Sequence, residues 1–163
     1  MEVKLKKKLI SEKAIQKRIK ELGKEITNDY EGKDLLILCI LKGSIIFTAD
    51  LVRNIKVPLT VDYLSAKNTR HNSLPDYLKD RDILIVEDII DSGTTLEKIV
   101  KSIGKKEPAS LKICTLLYKK ECVKNGIIPD YAGFYIGKEF VVGYGLDYNE
   151  QMRELPYIAI PEV

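Results

Sequence analysis

Ile83-Leu84-Ile85-Val86-Glu87-Asp88-Ile89-Ile90-Asp91-Ser92-Gly93-Thr94-Thr95 joins a short apolar run to a helical pattern carried by Leu96, Ile99, Val100 and Ile103 and closed by Gly104. Ile83 to Val86 is all apolar, as expected of a strand covered on both faces. Open α/β sheets bind their ligands where such a strand gives way to a helix. Ser92, Gly93, Thr94 and Thr95 would offer backbone N–H groups and three hydroxyls at the start of that helix. The free N–H groups and the dipole of a helix start favour a phosphate there. Gly93, having no Cβ, lets the backbone come close to it. Asp, Ser and Thr also favour helix N-caps, which is the plainer explanation of such a cluster. It does not account for Glu87, Asp88 and Asp91, since three carboxylates would repel a bare phosphate. They make sense beside a ligand that also brings hydroxyl groups, a divalent cation or a proton to be removed.

The rest of the chain repeats the alternation. Ile15, Ile19, Leu22 and Ile26 mark an amphipathic helix starting after Ser11. Leu35 to Leu41 is a continuous apolar run, followed by Lys42-Gly43 and a helical pattern through Ile45, Ala49 and Val52. Val57 to Leu64 reads as a strand, and Asn68 to Asp82 is polar and irregular. Leu111 to Leu117, Tyr131 to Ile136, Phe140 to Val142 and Tyr157 to Ile160 read as the remaining strands. Met1 to Ile10 is lysine-rich and shows no apolar stretch. Strands alternating with helices predict an α/β domain with a mainly parallel twisted sheet flanked by helices. No repeat or linker divides the sequence, so residues 1–163 are read as a single domain.

Composition narrows the function classes. At 163 residues the chain can bury a sizeable core without disulfides. A net charge of +3 gives no argument for nucleic acid, and the lysines of residues 6–8 and 105–106 read as solvated ends of elements. The longest apolar run, Leu35 to Leu41, is too short to span a bilayer, so no membrane partner is expected. Three cysteines, Cys39, Cys114 and Cys122, lack metal-ligand spacing and suit a reducing compartment, which makes a cytoplasmic location the default. No Gly-Lys-Ser/Thr stands at Walker A spacing, and Gly143-Tyr144-Gly145 lacks the third glycine of a dinucleotide fingerprint.

The segment 83–95 resembles the phosphoribosyl-diphosphate signature of type I phosphoribosyltransferases, and Glu87-Asp88-Ile89-Ile90-Asp91 is similar to the form found in the hypoxanthine-guanine branch. Leu41-Lys42-Gly43, Leu116-Leu117-Tyr118-Lys119 and Lys138 to Glu150 resemble further segments of that family, in the same order. The resemblance implies the family fold with a small hood, and purine salvage. In that reaction the phosphoribosyl group of 5-phosphoribosyl 1-diphosphate passes to hypoxanthine or guanine, giving IMP or GMP and pyrophosphate. It implies that Glu87 and Asp88 hold the ribose hydroxyls directly or through Mg²⁺, and that Ser92, Gly93, Thr94 and Thr95 cradle the 5-phosphate. Lys42 and Gly43 would meet pyrophosphate, with a non-proline cis peptide before Lys42, and Arg153 would reach the same group. Asp147 would help hold Mg²⁺, for which hard oxygen ligands completed by phosphates are suited.

Phe140 would stack on the base, although a Phe-Val-Val run read alone is a core pattern. The backbone around Val141 and Asp147 would read the base edge. Lys119 would donate to the 6-oxo group. Adenine has an amino group at that position, and a buried donor left unpaired costs roughly 1–3 kcal/mol. Asp91 would be the catalytic base, accepting the proton of the attacking purine nitrogen. Homodimers or homotetramers are usual in the family.

Relatives carry a mobile lid with a Ser-Tyr pair, whereas Ser65 to Leu74 is shorter and has no such pair. His71, the only histidine, lies in this segment and is given no role. Two alternatives stay open: a xanthine-preferring enzyme, and a catalytically weak regulatory relative that binds a nucleotide as a signal. No appended DNA-binding helix pair supports the second.

Overall fold

A computed structural model describes residues 4–65 and 74–162. The elements run β1 (Leu5–Ile10), α1 (Glu12–Asp29), β2 (Leu35–Leu41), α2 (Ile45–Asn54), β3 (Leu59–Ser65), β4 (Asp82–Ile90), α3 (Thr94–Gly104), β5 (Ser110–Tyr118), β6 (Tyr131–Tyr135) and β7 (Ile158–Pro161). Short 3₁₀ turns occupy Asp76–Leu78 and Lys120–Cys122.

Five strands form one sheet in the order β3-β2-β4-β5-β6, and every pair in it is parallel. Their apolar runs are continuous because both faces are covered. Leu35, Ile37, Leu84, Val86, Cys114 and Leu116 pack with α1 and α2 through Ile15, Ile19, Leu22, Phe47 and Leu51. The alternate residues Leu36, Leu38, Ile83, Ile85 and Ile113 face the other way, against Leu96, Ile99 and Ile103 of α3. Each fully buried side chain of this kind contributes roughly 1.5–3 kcal/mol. Helix α1 begins where its sequence marks it: the Ser11 hydroxyl accepts the Ala14 N–H at 3.2 Å as an N-cap.

Three local expectations are corrected. Leu5–Ile10 is a strand, β1, paired antiparallel with β7 in a separate two-stranded sheet. Lys6, Lys7 and Lys8 are exposed, so only the ends of this strand have apolar side chains, and no apolar stretch marks it in the sequence. Phe140 to Val142 is not a strand: only Val142 makes a bridge, to Ala159. Strand β4 runs on to Ile90, which places Glu87 and Asp88 on the strand itself and not in the loop beyond it. Within the short lid segment, Ser65 to Leu74, residues 66–73 including His71 lie outside the described residues. No helix among the described residues is long and apolar enough to cross a membrane.

Candidate active site

Because all five strands are parallel, their C-terminal ends share one edge, and the candidate residues of β2, β4 and β5 gather there. Register does much of the positioning. Ile90 of β4 pairs with Tyr118 of β5, so Asp91 and Lys119 leave the sheet side by side. The Lys119 N–H donates to the Ile90 carbonyl at 3.0 Å, and its ammonium donates to Asp91 Oδ2 at 2.9 Å. The Lys119 side chain is only 6% exposed, whereas that of Asp91 is 56% exposed. A buried cation therefore has its carboxylate partner at the mouth of the site.

Glu87 and Asp88 are half-buried neighbours at the end of β4. The Asp88 N–H donates to Glu87 Oε1 at 3.2 Å, and the Ile89 N–H donates to Asp88 Oδ1 at 2.8 Å. Burial, and then the adjacent charge of Asp88, push Glu87 well above the ordinary carboxylate range. Burial also raises Asp88, against the opposing pull of a hydrogen bond with Glu87, local backbone donors and the Arg153 charge. A cation beside the pair would favour its charged form. Gly43, at the end of β2, makes room for it: a Cβ there would lie 1.8 Å from Asp88 Oδ2. The peptide before Lys42 is cis, as the resemblance implied.

Asp91 leads into Ser92 and a left-handed Gly93 (φ 79°), from which α3 starts at Thr94. The N-cap residue Gly93 has no side chain to bond the helix start, the Ser92 hydroxyl accepts the Thr94 N–H at a long 3.4 Å, and Thr94 and Thr95 are exposed. The Thr95 N–H and the threonine hydroxyls are thus placed to meet an anion. The Ser92 and Thr94 hydroxyls lie 3.2 Å apart. The loop is braced from behind, where the Lys124 N–H donates to the Ser92 carbonyl at 3.2 Å and Asn125 Nδ2 donates to Glu97 Oε2 at 3.0 Å.

The opposite wall is the segment from Phe140 to Arg153. Phe140 is 49% exposed and meets Tyr148 edge-on with ring centroids 6.1 Å apart, so it is not the core residue that its Phe-Val-Val context suggests. Val141 is buried beside it. Gly145, with φ 102°, approaches Gly43 so closely that a Cβ would lie 2.1 Å from the Gly43 carbonyl oxygen. Arg153 Nη1 donates to the Gly145 carbonyl at 2.7 Å, and Nη2 donates to Asp147 Oδ1 at 3.0 Å and Glu150 Oε2 at 3.3 Å. Lys42 Nζ reaches the same Glu150 oxygen at 2.9 Å. Lys42, Gly43, Asp147 and Arg153 are therefore linked through Glu150 and Gly145, and Gly43 lies against Asp88. Ser92 to Thr95 belong with these residues only as the continuation of β4, and Phe140 and Val141 only as the start of the segment that carries Asp147 and Arg153.

Two supports went unread in the sequence. Asp50 of α2 accepts from the Tyr144 hydroxyl, from Arg53 and, at 3.1 Å, from Gln16 Nε2, and so ties the loop carrying Asp147 to both helices on that face. Burial opposes ionisation of Asp50, but the hydrogen bonds from Tyr144, Gln16 and Arg53 outweigh it and hold the carboxyl below its usual value. Glu150 is the other. No spacing rule links these residues across a hundred positions. Two concavities beside the β1–β7 sheet, one of about 990 Å³ lined by Glu150, Met152 and Leu155 and one of about 680 Å³ beside Phe140 and Ile160, are not lined by the residues of β4 or α3.

The sequence profile of the family described as "Phosphoribosyl transferase domain" matches residues 7–149. The chain belongs to that family. Among curated phosphoribosyltransferases it is 44% identical to the hypoxanthine-guanine phosphoribosyltransferase of Lactococcus lactis, over 98% of this chain and 93% of that one. It is 42% identical to the hypoxanthine phosphoribosyltransferase of Salmonella typhimurium, over 93% and 92%. A crystal structure of a hypoxanthine-guanine phosphoribosyltransferase from Bacillus anthracis superposes with a TM-score of 0.93 at 39% identity, covering 99% of this chain and all of that one. The five-stranded parallel sheet with helices on both faces is thus the phosphoribosyltransferase fold.

Proposed function

We propose that this phosphoribosyltransferase acts in purine salvage, transferring the phosphoribosyl group of 5-phosphoribosyl 1-diphosphate to hypoxanthine or guanine. One observation carries the choice of acceptor: the buried Lys119 ammonium and the Asp91 carboxylate, 2.9 Å apart, beside the open start of α3. A 6-oxopurine presents a carbonyl oxygen and a ring N–H on one edge, which match a donor and an acceptor set side by side. Adenine replaces that oxygen with a donor, so Lys119 would be buried facing another donor, a loss of roughly 1–3 kcal/mol.

In this reading the 5-phosphate takes the N–H groups and hydroxyls of Ser92, Gly93, Thr94 and Thr95. Glu87 and Asp88 accept from the ribose hydroxyls. Lys42, Gly43 and Arg153 hold the pyrophosphate, and Phe140, Val141 and the backbone at Asp147 hold the base. The C1–N bond forms as the C1–O bond to pyrophosphate breaks. Pyrophosphate leaves with the electron pair of the C1–O bond. The imidazole nitrogen far from the 6-oxo group attacks, and the N–H on the imidazole nitrogen beside that group breaks, its proton passing to Asp91 as general base. Lys42 and Arg153 are placed to meet the negative charge on the leaving group as it develops.

The residues fit Mg²⁺ held largely by substrate. Among the described residues no three acidic, histidine or cysteine side chains converge on one point, yet Glu87 and Asp88 form a half-buried acidic pair at the end of β4, and Asp147 lies beside Arg153, 3.0 Å from its guanidinium. One or two carboxylates plus phosphate oxygens are the usual Mg²⁺ shell. When bound, the ion neutralises charge on the diphosphate. The exposed Val61 and Tyr63 on edge strand β3 support assembly as a homodimer or homotetramer. A steady-state assay with the diphosphate donor, Mg²⁺ and each base in turn tests the proposal. Hypoxanthine and guanine should react, and adenine should show a kcat/KM roughly 10- to 100-fold lower. Preference for xanthine would shift the assignment of acceptor, and no nucleotide from any oxopurine would overturn the proposal.

A further inference from the structure

Asn149 and Glu150 form the two-residue turn of a small hairpin in which Tyr148 and Gln151 exchange both backbone hydrogen bonds at 3.1 Å. Both turn residues are left-handed, with φ of 50° and 65°. Two successive left-handed residues make a type I′ turn, whose second place ordinarily goes to glycine. The backbone therefore gives no reason for a glutamate there, and left-handed geometry disfavours it. Its side-chain contacts do give a reason. One oxygen, Oε2, accepts from Lys42 Nζ at 2.9 Å and from Arg153 Nη2 at 3.3 Å. Lys42 comes from the end of β2 and Arg153 from beyond the hairpin, so a single carboxylate bridges two cations from facing walls of the site. The turn itself is braced separately, by the Glu150 N–H on Asp147 Oδ2 at 2.8 Å.

We propose that Glu150 is an internal counter-anion: it lies between Lys42 and Arg153 where pyrophosphate binds, yields that place to the ligand, and so sets how tightly the group is held. The inference rests on the reading that Lys42 and Arg153 are the pyrophosphate-binding cations. Its physical basis is competition. Two cations brought together repel unless an anion lies between them, and Glu150 supplies it from within the chain. Both cations draw its carboxyl below the ordinary range, Lys42 most strongly. The Lys42 and Glu150 side chains are 65% and 66% exposed, so their attraction is screened, and a multiply charged ligand displaces a single carboxylate. The exchange keeps the cations aligned before binding and weakens the grip on pyrophosphate after transfer, which favours release.

The test is calorimetric titration of pyrophosphate, with Mg²⁺ present, into the full chain and into Glu150→Gln, Glu150→Gly, Lys42→Ala and Arg153→Ala. Glu150→Gly suits the turn better than the natural residue, so its folding is secure. Glu150→Gln and Glu150→Gly should each bind pyrophosphate about three- to tenfold more tightly, the scale of one or two exposed ion pairs. Their affinity for IMP should stay within about twofold of wild type, since IMP carries no pyrophosphate. Unchanged or weaker pyrophosphate binding in both Glu150 variants, with Lys42→Ala and Arg153→Ala weakened, overturns the counter-anion alone. If Lys42→Ala and Arg153→Ala also bind normally, the placement of pyrophosphate falls and the counter-anion with it.

Discussion

Asp91→Asn separates chemistry from architecture. The substitution keeps the shape of the side chain and leaves an oxygen that can still accept from Lys119 Nζ, now at 2.9 Å from Asp91 Oδ2. What it removes is one negative charge, and that charge is more than half exposed. Asp91 is open to solvent but Lys119 is only 6% exposed, so the loss lies between the roughly 0.2–1 kcal/mol of an exposed pair and the roughly 3–5 kcal/mol of a buried one, and the Asn oxygen keeps the ammonium hydrogen-bonded. For a chain of this size each kcal/mol shifts Tm by about 2–4 °C, so a loss of about 1–2 kcal/mol should lower Tm by about 2–8 °C. Turnover, in contrast, should fall by about 10²–10⁴, the usual scale for losing a general base. Pyrophosphate binding should be preserved, because Asp91 makes no contact with Lys42 or Arg153 among its hydrogen bonds. Nucleotide formation from hypoxanthine, followed by absorbance under saturating donor, gives kcat, and a thermal melt of the same sample gives the stability term. Turnover within about threefold of wild type would remove Asp91 from the chemistry. A melt lowered by more than 10 °C would instead make it a structural residue.

Gly43→Ala would place a Cβ 1.8 Å from Asp88 Oδ2, so that carboxylate must move. The variant should lose at least tenfold in kcat/KM for the diphosphate donor, as steady-state assays at saturating hypoxanthine would reveal. Ser11→Ala removes the N-cap of α1 and should cost about 0.5–2 kcal/mol, read as a Tm lower by a few degrees with kinetics unchanged. Asp50 has a folded pKa below its ordinary 3.8, so its stabilisation is fully present above that value and fades as pH falls through the folded pKa. Denaturant unfolding should therefore find Asp50→Asn less stable than wild type at pH 7, with the gap narrowing below pH 3.8. A gap independent of pH would show that the Tyr144 contact does not need the charge.

The fold was legible wherever burial wrote a period into the sequence. Leu35–Leu41 is covered on both faces and reads as a strand with the bounds it has, and Ser11 marks the start of α1 because its hydroxyl does the capping. Strand β1 was invisible for the opposite reason: its three lysines face solvent, and its pairing with β7 lies in backbone hydrogen bonds, which leave no side-chain pattern. Phe140 to Val142 misled because apolar, β-branched residues look like a strand. The left-handed Gly143, Tyr144 and Gly145 that follow turn the chain away after a single bridge.

The candidate site divides the same way. Residues clustered along the chain, Glu87 to Thr95, declared themselves by chemistry. Lys119 and Arg153 gained roles from family resemblance alone, and the register of β4 with β5 now supplies the physical reason for the first. Glu150 and Asp50 act through partners about a hundred residues away, and only coordinates bring those partners together.

A crystal structure of the chain with IMP and Mg²⁺ tests most directly whether this edge of the sheet grips a purine ribonucleotide. The phosphate should lie within hydrogen-bond distance of the Thr94 and Thr95 N–H groups, and the 6-oxo oxygen should sit on Lys119 Nζ with the lysine drawn off Asp91. IMP bound elsewhere, or Lys119 still paired to Asp91 beneath an unread base, would contradict the account.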